Sequence, residues 1–499
     1  MAQLVARSTF NAKVPGSYPG EVTKTFKTKF MSKINPLIKP SDKFSDEQLA
    51  GGTGALAAKQ SDVQTLRRAV LANLLWENIA YMDGKTVANE IARLIPLCPA
   101  HEVFNIALEA RRDQKLRHTP LFVAREMCRY PEHRLFVSEL LPLIITRADM
   151  LTDFVAIYWK DGKQPLCNQA KKGLAKAFYN FNEYKFAKYD RNAAIKLRDV
   201  MFMVHPTPRN EYETNLFKKI ADRTLDTPDT WEVALSTGAD KKATWTRLIE
   251  EGKIGGLAML RNLNNMKKAD VEYEVIIKGL ETLKSSMLLP LDYLKANAVA
   301  PEFSRYIEDA MIKSYENLPK LPGKTLFVID VSGSMGTANT QHSVFSRMDH
   351  ACAMAMLAAN QCESYKLVAT AGDDWKREGA HKYIKYHSKG FDLVEQVMET
   401  RSDIGVGGIF TRQCLEWCRE QFKGEEFDRI IIFSDSQDCD HPDKRVPKPF
   451  GKHNYICDVS AHIKGINYKG VWDAEISGFS DKFITFIAAY EGIANTFEE

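Results

Sequence analysis

The sequence predicts a multidomain protein, an α-helical repeat module followed by a doubly wound α/β domain. From about residue 62 to about 317 the apolar residues recur with helical spacing and without strand-like alternation. Past about residue 320, short apolar runs alternate with helix-like stretches, which is the pattern of a mainly parallel, Rossmann-like sheet. A chain of 499 residues, 44% hydrophobic and 26% charged, is long and apolar enough for several domains with their own cores. These observations divide the chain into an extended basic lead-in over 1–45, a helical module over 46–320 and an α/β domain over 321–499.

The lead-in holds Gly, Pro, Ser and many lysines, as in KTFKTKFMSK, and reads as a loosely packed arm. Gly51-Gly-Thr-Gly54 is too short and out of context for a phosphate loop. Leu66, Val70, Leu74 and Leu75 then share a helix face, with Ile79 one turn on. Asp83-Gly84 interrupts the pattern, and Val87, Ile91, Leu94 and Ile95 resume it. Cys98-Pro99, His118-Thr-Pro120 and Tyr130-Pro131 punctuate further segments of helical length. Helix, short turn, helix at this spacing predicts stacked pairs of the HEAT or armadillo kind.

In the last part, strands are expected at Leu326–Ile329, Tyr365–Ala371, Lys382–His387, Arg429–Phe433, Tyr455–Val459 and Val471–Ile476. Helices are expected at Met348–Asn360, Phe391–Thr400, Arg412–Phe422 and Phe483–Tyr490. Trp375 reads as a packing residue. The first strand runs into Asp330-Val-Ser332-Gly-Ser334, and Ile430–Phe433 ends in the same way at Ser434-Asp435. Between them lies Gly405-Val-Gly407-Gly408-Ile-Phe-Thr411, a glycine-rich turn opening a helix. Ligand sites in open α/β sheets lie beyond the carboxyl ends of the strands. Carboxylates and hydroxyls gathered there suit a hard cation such as Mg²⁺. As a simpler alternative, the serines cap the following helix. A phosphotransfer site with Asp330 as nucleophile asks for a second aspartate where Ser332 stands, and Gly333-Ser-Met-Gly336 is not a hydrolase elbow. No catalytic constellation stands out.

The net charge of +4 divides into +10 over residues 1–320 and −6 over 321–499. A basic helical part points to an anionic partner, of which nucleic acid is the commonest. Nine scattered cysteines without zinc spacing suit a reducing compartment, and no apolar run reaches membrane-spanning length or forms a secretory leader. The expectation is a cytoplasmic, monomeric protein with no membrane partner.

The pattern Asp330, Ser332, Ser334, Thr411 and Asp435 resembles the metal-ion-dependent adhesion site of von Willebrand factor A domains. That resemblance implies that the serines and the threonine hold Mg²⁺ or its waters and that the carboxylates act largely through water. One coordination position is then left for a partner's acidic group. Where the family often has threonine directly after the glycines, this chain has Ile409, and Thr411 is the matching residue. Upstream, LEARRDQKLRHTPLFVAREMCRY, FAKYDRNAAIKLRDVMFMVHPTP and LAMLRNLNNM resemble, in order, the TROVE module of the Ro ribonucleoprotein family. A TROVE region followed by an A domain is that family's own order, and the resemblance spans roughly 65 to 490.

The resemblance implies a ring of helical repeats closed by the A domain. Its basic outer face binds small structured Y RNAs, and its lumen admits the single-stranded 3′ ends of misfolded noncoding RNA. The family's outer-surface positions fall on Lys188 and His205, and a further arginine aligns beside Arg191. Without the resemblance, His205 reads as a helix-end residue before Pro206. Arg111, Arg112, Lys115, Arg117 and His118, with Lys171, Lys172 and Lys176, supply further basic candidates, although the lysines also fit a solvated face. Arg261 lies in the LRNLNN segment placed nearer the lumen, where the asparagines also fit a structural turn. The implied function is non-enzymatic RNA binding in noncoding RNA quality control, in the company of an exonuclease. The rivals are a metal-dependent protein-interaction scaffold that binds no RNA and, more remotely, a hydrolase using Asp330 and Asp435.

Overall fold

The computed structural model of the chain describes residues 61–71, 87–190, 193–337, 345–385, 390–435, 438–440, 446–459, 468, 470–476, 478 and 480–493, with the backbone of 47–48, 56–57, 84–86 and 477. The lead-in, Gly51–Gly54, Leu74, Leu75, Ile79 and Arg191 lie outside them. The two short segments β1 (Glu47–Gln48) and β2 (Leu56–Ala57) pair antiparallel.

The helical module begins with α1 (Asp62–Leu71), α2 (Gly84–Leu94), α3 (Ala100–Arg112), α4 (His118–Met127) and α5 (Pro131–Ile144). It continues with α6 (Asp149–Tyr158), α7 (Asn168–Phe178), α8 (Glu183–Tyr189), α9 (Leu197–Val204) and α10 (Glu211–Asp222). The second half holds α11 (Trp231–Ser236), α12 (Lys241–Glu250), α13 (Gly256–Lys268), α14 (Tyr273–Glu281), α15 (Pro290–Val299) and α16 (Ser304–Ser314). Local chemistry sets the boundaries. Pro131 opens α5, where its missing N–H costs nothing. Asn182, Asn210 and Asp240 each accept a first-turn amide, capping α8, α10 and α12. His205 closes α9 in the left-handed region, φ 47°, just before Pro206.

Helices pack on the next but one: α1 on α3, α3 on α5, α5 on α7, and α2 on α4, α4 on α6. The same rule returns for α12 on α14, α13 on α15 and α14 on α16. Two layers of stacked helical pairs result, as the periodicity anticipates. Gly173 lets α5 and α7 approach, since a Cβ there would stand 2.9 Å from the Val137 carbonyl oxygen.

The α/β domain is a six-stranded sheet in the order β5-β4-β3-β6-β7-β8. Its strands are β3 (Leu321–Asp330), β4 (Cys362–Asp373), β5 (Glu378–Ile384), β6 (Phe427–Ser434), β7 (Gly451–Asp458) and β8 (Ala474–Ser477). All pairings are parallel except β4 with β5, an edge hairpin. Helices α17 (Arg347–Gln361), α18 (Asp392–Glu399), α19 (Arg401–Ile404), α20 (Thr411–Gln421) and α21 (Lys482–Tyr490) complete the domain. Leu326–Ile329 are wholly buried, as a central strand covered on both faces requires.

The cores do not follow the two-part division of the sequence. One apolar cluster fills α1 to α10. A second starts in α12 and runs without a break into one face of the sheet with α17 and α21, and a third packs α20 on the other face. The start of the helical module also returns to the α/β domain. Arg68 of α1 ion-pairs with Asp458 at the end of β7, both buried. Gln114, after α3, lies against Gly478, after β8. At the other end, Glu308 of α16 accepts the Phe391 N–H at 2.9 Å and α15 packs on α17. Helices and sheet therefore form a closed circuit.

Candidate functional site

β3 lies between β4 and β6, so the chain leaves its neighbours in opposite directions and a crevice opens at the carboxyl ends. Asp330 ends β3, Ser434 ends β6 and Asp458 ends β7, all along one edge. Asp330 is fully buried. Its Oδ1 accepts the Ser332 N–H at 2.9 Å, and its Oδ2 accepts the Ser434 hydroxyl at 2.7 Å. The Ser332 and Ser334 hydroxyls stand 3.2 Å apart. Asp435 Oδ2 accepts Arg347 Nη1 at 2.8 Å, and both residues are buried.

Burial, and after it the Asp435 charge, pushes the Asp330 carboxyl up to about 7. Burial also raises Asp435, against the pull of Arg347 and the Ser334 hydroxyl. The structure thus brings Asp330, Ser332, Ser334 and Asp435 together. Thr411, the first residue of α20, is buried at the same end of the sheet, but its contacts run to Asp438, whose Oδ1 accepts the Thr411 N–H at 3.3 Å. Asp438 Oδ2 accepts the Tyr468 hydroxyl at 2.6 Å, and burial pushes Asp438 up to about 6.

The donor set fits a hard divalent cation. Among the described residues no hydrogen bond of ordinary geometry satisfies Asp435 Oδ1 or Thr411 Oγ1, although both are buried. The Arg347 guanidinium pairs with Asp435, while Asp330 is served by the Ser332 amide and the Ser434 hydroxyl. Among the described residues no cluster of three or more His, Cys, Asp or Glu is arranged for a metal, so such a cation would depend on the hydroxyls.

Ser434, Arg347 and Asp438 complete the site and were not picked out as site residues from the sequence. Ser434 precedes Asp435 at the strand end, and Asp438 follows it by three. Arg347 is announced only by the capping box of Ser346 and Asp349, which starts α17. The Gly405–Gly408 turn packs tightly on the β4–β5 hairpin. The Gly407 and Gly408 amides donate to the Gly372 carbonyl at 3.1 Å and to Asp374 Oδ1 at 2.7 Å. A Cβ at Gly407 would collide with that carbonyl. Trp375, expected to pack, is instead 98% exposed at the hairpin tip, held there by Asp373 Oδ1 accepting its amide at 2.9 Å. The hairpin leaves no surface behind the indole to bury it.

The basic candidates separate into two groups. Arg111 is buried, with Nε on the Thr146 hydroxyl at 2.9 Å and Nη1 on the Lys115 and Leu116 carbonyls. It is a structural clamp and corrects the expectation of an RNA contact. Arg111→Ala should lower stability by about 1–3 kcal/mol in urea melts, by orphaning buried acceptors. Arg112 and Lys115 are half-buried, and Lys115 Nζ donates to the Arg112 carbonyl at 2.8 Å. Arg117 bridges Asp149 and Asp153, each at 2.7 Å, with the exposed His118 3.8 Å from Asp153.

The second group faces solvent. Lys171 and Lys172 are exposed on α7, His205 is exposed at the end of α9, and Lys188 lies half-buried with Nζ 5.9 Å over the Tyr189 ring. Arg261 is exposed on α13. LRNLNN is mid-helix and not a turn: Asn262 donates to the Ala258 carbonyl and Asn265 to the Asn262 oxygen.

A family model described as the TROVE domain matches residues 222–361, from the end of α10 through α17. The chain is 35% identical to "Telomerase protein component 1" of Mus musculus over 79 residues, 15% of this chain and 3% of that protein. It is 34% identical to the Rattus norvegicus protein of the same name over 79 residues, with the same shares. It therefore spans about 3% of the length of the curated relatives it matches. The crystal structure of the Deinococcus radiodurans RO (RSR) protein matches with TM-score 0.55 and 17% identity, covering 87% of this chain and 100% of that one. At that identity the likeness is one of fold.

Proposed function

We propose that this chain is an RNA-binding protein of the TROVE-domain (Ro) family, acting in quality control of noncoding RNA; the TROVE-domain match over residues 222–361 supports the family. The observation that carries the reading is a run of exposed cations with aromatic rings among them. Lys171, Lys172, Lys176, Lys185, His205 and Arg209 are exposed over α7 to the start of α10, and Tyr184, Phe202 and Tyr212 stand exposed between them. Lysines and arginines supply phosphate contacts without sequence choice, and exposed rings supply stacking for unpaired bases. In this reading a structured, Y-like RNA lies along this face. Single-stranded 3′ ends enter the closed circuit near Arg261. An exonuclease works alongside in the cytoplasm, on a monomer, and no reaction is assigned to the chain itself.

Asp330, Ser332, Ser334, Thr411 and Asp435 would hold Mg²⁺, which when bound offers an acidic partner group a docking point. Asp330→Ala should abolish any rise in melting temperature on adding Mg²⁺ while leaving RNA affinity intact, read by thermal melts with Mg²⁺ and with EDTA. A second reading, a metal-dependent interaction scaffold without RNA, draws support from the fully exposed Trp375 on the hairpin that braces the glycine turn of the site.

Two RNAs differing only in a single-stranded 3′ tail, titrated at two salt concentrations, separate these readings. Replacing Lys188 and His205 with Ala should weaken both RNAs alike and lower the log–log salt slope by about one per lost phosphate contact. Arg261→Ala should weaken the tailed RNA more. Equal affinity of the wild-type protein for both RNAs would sink the threaded end, and absence of RNA binding would leave the scaffold standing.

A further inference from the structure

We propose that Cys167 and Cys128 form a peroxide-reactive dithiol at the joint between α4 and α7, a reversible modification site on the helical module.

The two cysteines lie 39 positions apart in sequence, and the stacking of helical pairs brings their side chains to the same joint, around Tyr158 and Arg134. Cys167 is the N-cap residue of α7 and is partly exposed, beside the exposed loop 160–165. Cys128 caps the end of α4 and is buried behind it, its thiol directed at the Ala124 carbonyl 3.3 Å away. The Tyr158 hydroxyl accepts the Cys167 N–H at 3.2 Å, which leaves its own proton available to the neighbouring sulfur. Arg134 is anchored at the pair by donating Nε to the Cys128 carbonyl at 2.7 Å.

A helix N-terminus, a hydroxyl donor and a guanidinium around one sulfur are what a reactive thiolate needs. Accordingly the Cys128 thiol, then the first-turn amide of Ala170, the Tyr158 hydroxyl and the Arg134 charge outweigh burial and hold the Cys167 thiol down to about 6. Cys128 is pushed up by its neighbour Cys167 and by burial, so it stays a thiol until it is called on. An exposed-side thiolate with a protonated thiol behind it is the arrangement of an attacking and a resolving cysteine.

The chemistry balances with hydrogen peroxide as the oxidant. The Cys167 thiolate attacks one peroxide oxygen, an S–O bond forms, the O–O bond breaks and hydroxide leaves. The sulfur is oxidised to a sulfenic acid as the peroxide is reduced. Cys128 then gives up its proton and attacks that sulfur, forming the S–S bond and releasing water. The resulting disulfide ties the end of α4 to the start of α7, one turn ahead of the exposed Lys171 and Lys172. A dithiol reductant returns both cysteines.

Cys439 is the internal control, because it is the other partly exposed cysteine among the described residues and burial pushes it up to about 12. The full-length protein is treated with hydrogen peroxide at pH 7, quenched and mapped by mass spectrometry with and without dithiothreitol. Expected are a linked 128–167 peptide pair that dithiothreitol separates, and alkylation of Cys167 at least about tenfold faster than of Cys439. Cys128→Ser should stop the reaction at a sulfenic acid on Cys167, trapped by dimedone, and Cys167→Ser should give neither product. If Cys167→Ser does not fold, the wild-type map and the Cys128→Ser trap decide. Oxidation of Cys439 ahead of Cys167, or persistence of free Cys128 once Cys167 is oxidised, would overturn the proposal.

Discussion

Arg347→Met is expected to cost about 3–5 kcal/mol of stability in EDTA, because it removes the guanidinium that pairs with the buried Asp435 carboxylate. Methionine preserves the apolar stem, so loss of packing contributes little. Asp330 and Asp435 would then repel each other at the strand ends, where an amide and a hydroxyl serve Asp330. Addition of Mg²⁺ should restore part of the loss, since a divalent cation bound by the same oxygens supplies the missing charge. The variant should therefore gain more from Mg²⁺ than the wild type does. Urea denaturation of both proteins, with EDTA and with Mg²⁺, makes the comparison. Equal stability in EDTA would mean that Arg347 does not compensate the carboxylates. A loss that Mg²⁺ leaves untouched would mean that these oxygens hold no cation.

Arg68→Met should be costly in the same way, by about 3–5 kcal/mol, because it removes the guanidinium that ion-pairs with the buried Asp458 at the end of β7. The distinguishing test is the double variant. Asp458→Asn in the Arg68→Met background removes the carboxylate charge that lost its ion pair and should recover part of the loss, whereas Asp458→Asn alone breaks the same ion pair from the other side and should destabilise. A double-mutant cycle in urea reads the coupling directly. Additive losses would place the energy of the seam elsewhere, for example at Gln114 and Gly478.

Most of the sheet was legible because its central strands contain buried apolar runs, and a run such as Leu326–Ile329 has few other uses. β5, expected over Lys382–His387, of which 386–387 lie outside the described residues, is found at Glu378–Ile384 as the second arm of a hairpin. Half-exposed edge strands lack the continuous apolar signal that marks a central one. Helix pairs were legible through Pro131 and through Val87, Ile91 and Leu94, all three buried in α2. What the sequence concealed is burial of charge. Arg111, Arg67 and Arg347 are each at most 4% exposed, yet in a linear string they look like the exposed Lys171 and Lys172. Only the fold supplies the carboxylates, carbonyls and hydroxyls that make such burial tolerable. Trp375 failed in the opposite sense, since an indole is apolar enough to be read as core whatever the turn beneath it does.

The pairing of Arg68 with Asp458 joins positions 390 residues apart, and this sets an order of assembly. At a synthesis rate of about 5–20 residues per second, α1 waits about 20–80 seconds before the strand that carries its partner emerges. During that interval the successive helical pairs already have neighbours to stack on, because their contacts are local. Such contacts form early, and long-range ones wait on loop closure. Leu66 and Val70 belong to the first core and can be covered at once, but the guanidinium of Arg68 has no seat until β7 is complete. In synthesis on the ribosome α1 is thus made early and seated late, and a chain stalled before residue 458 would carry its helical stack without the clasp.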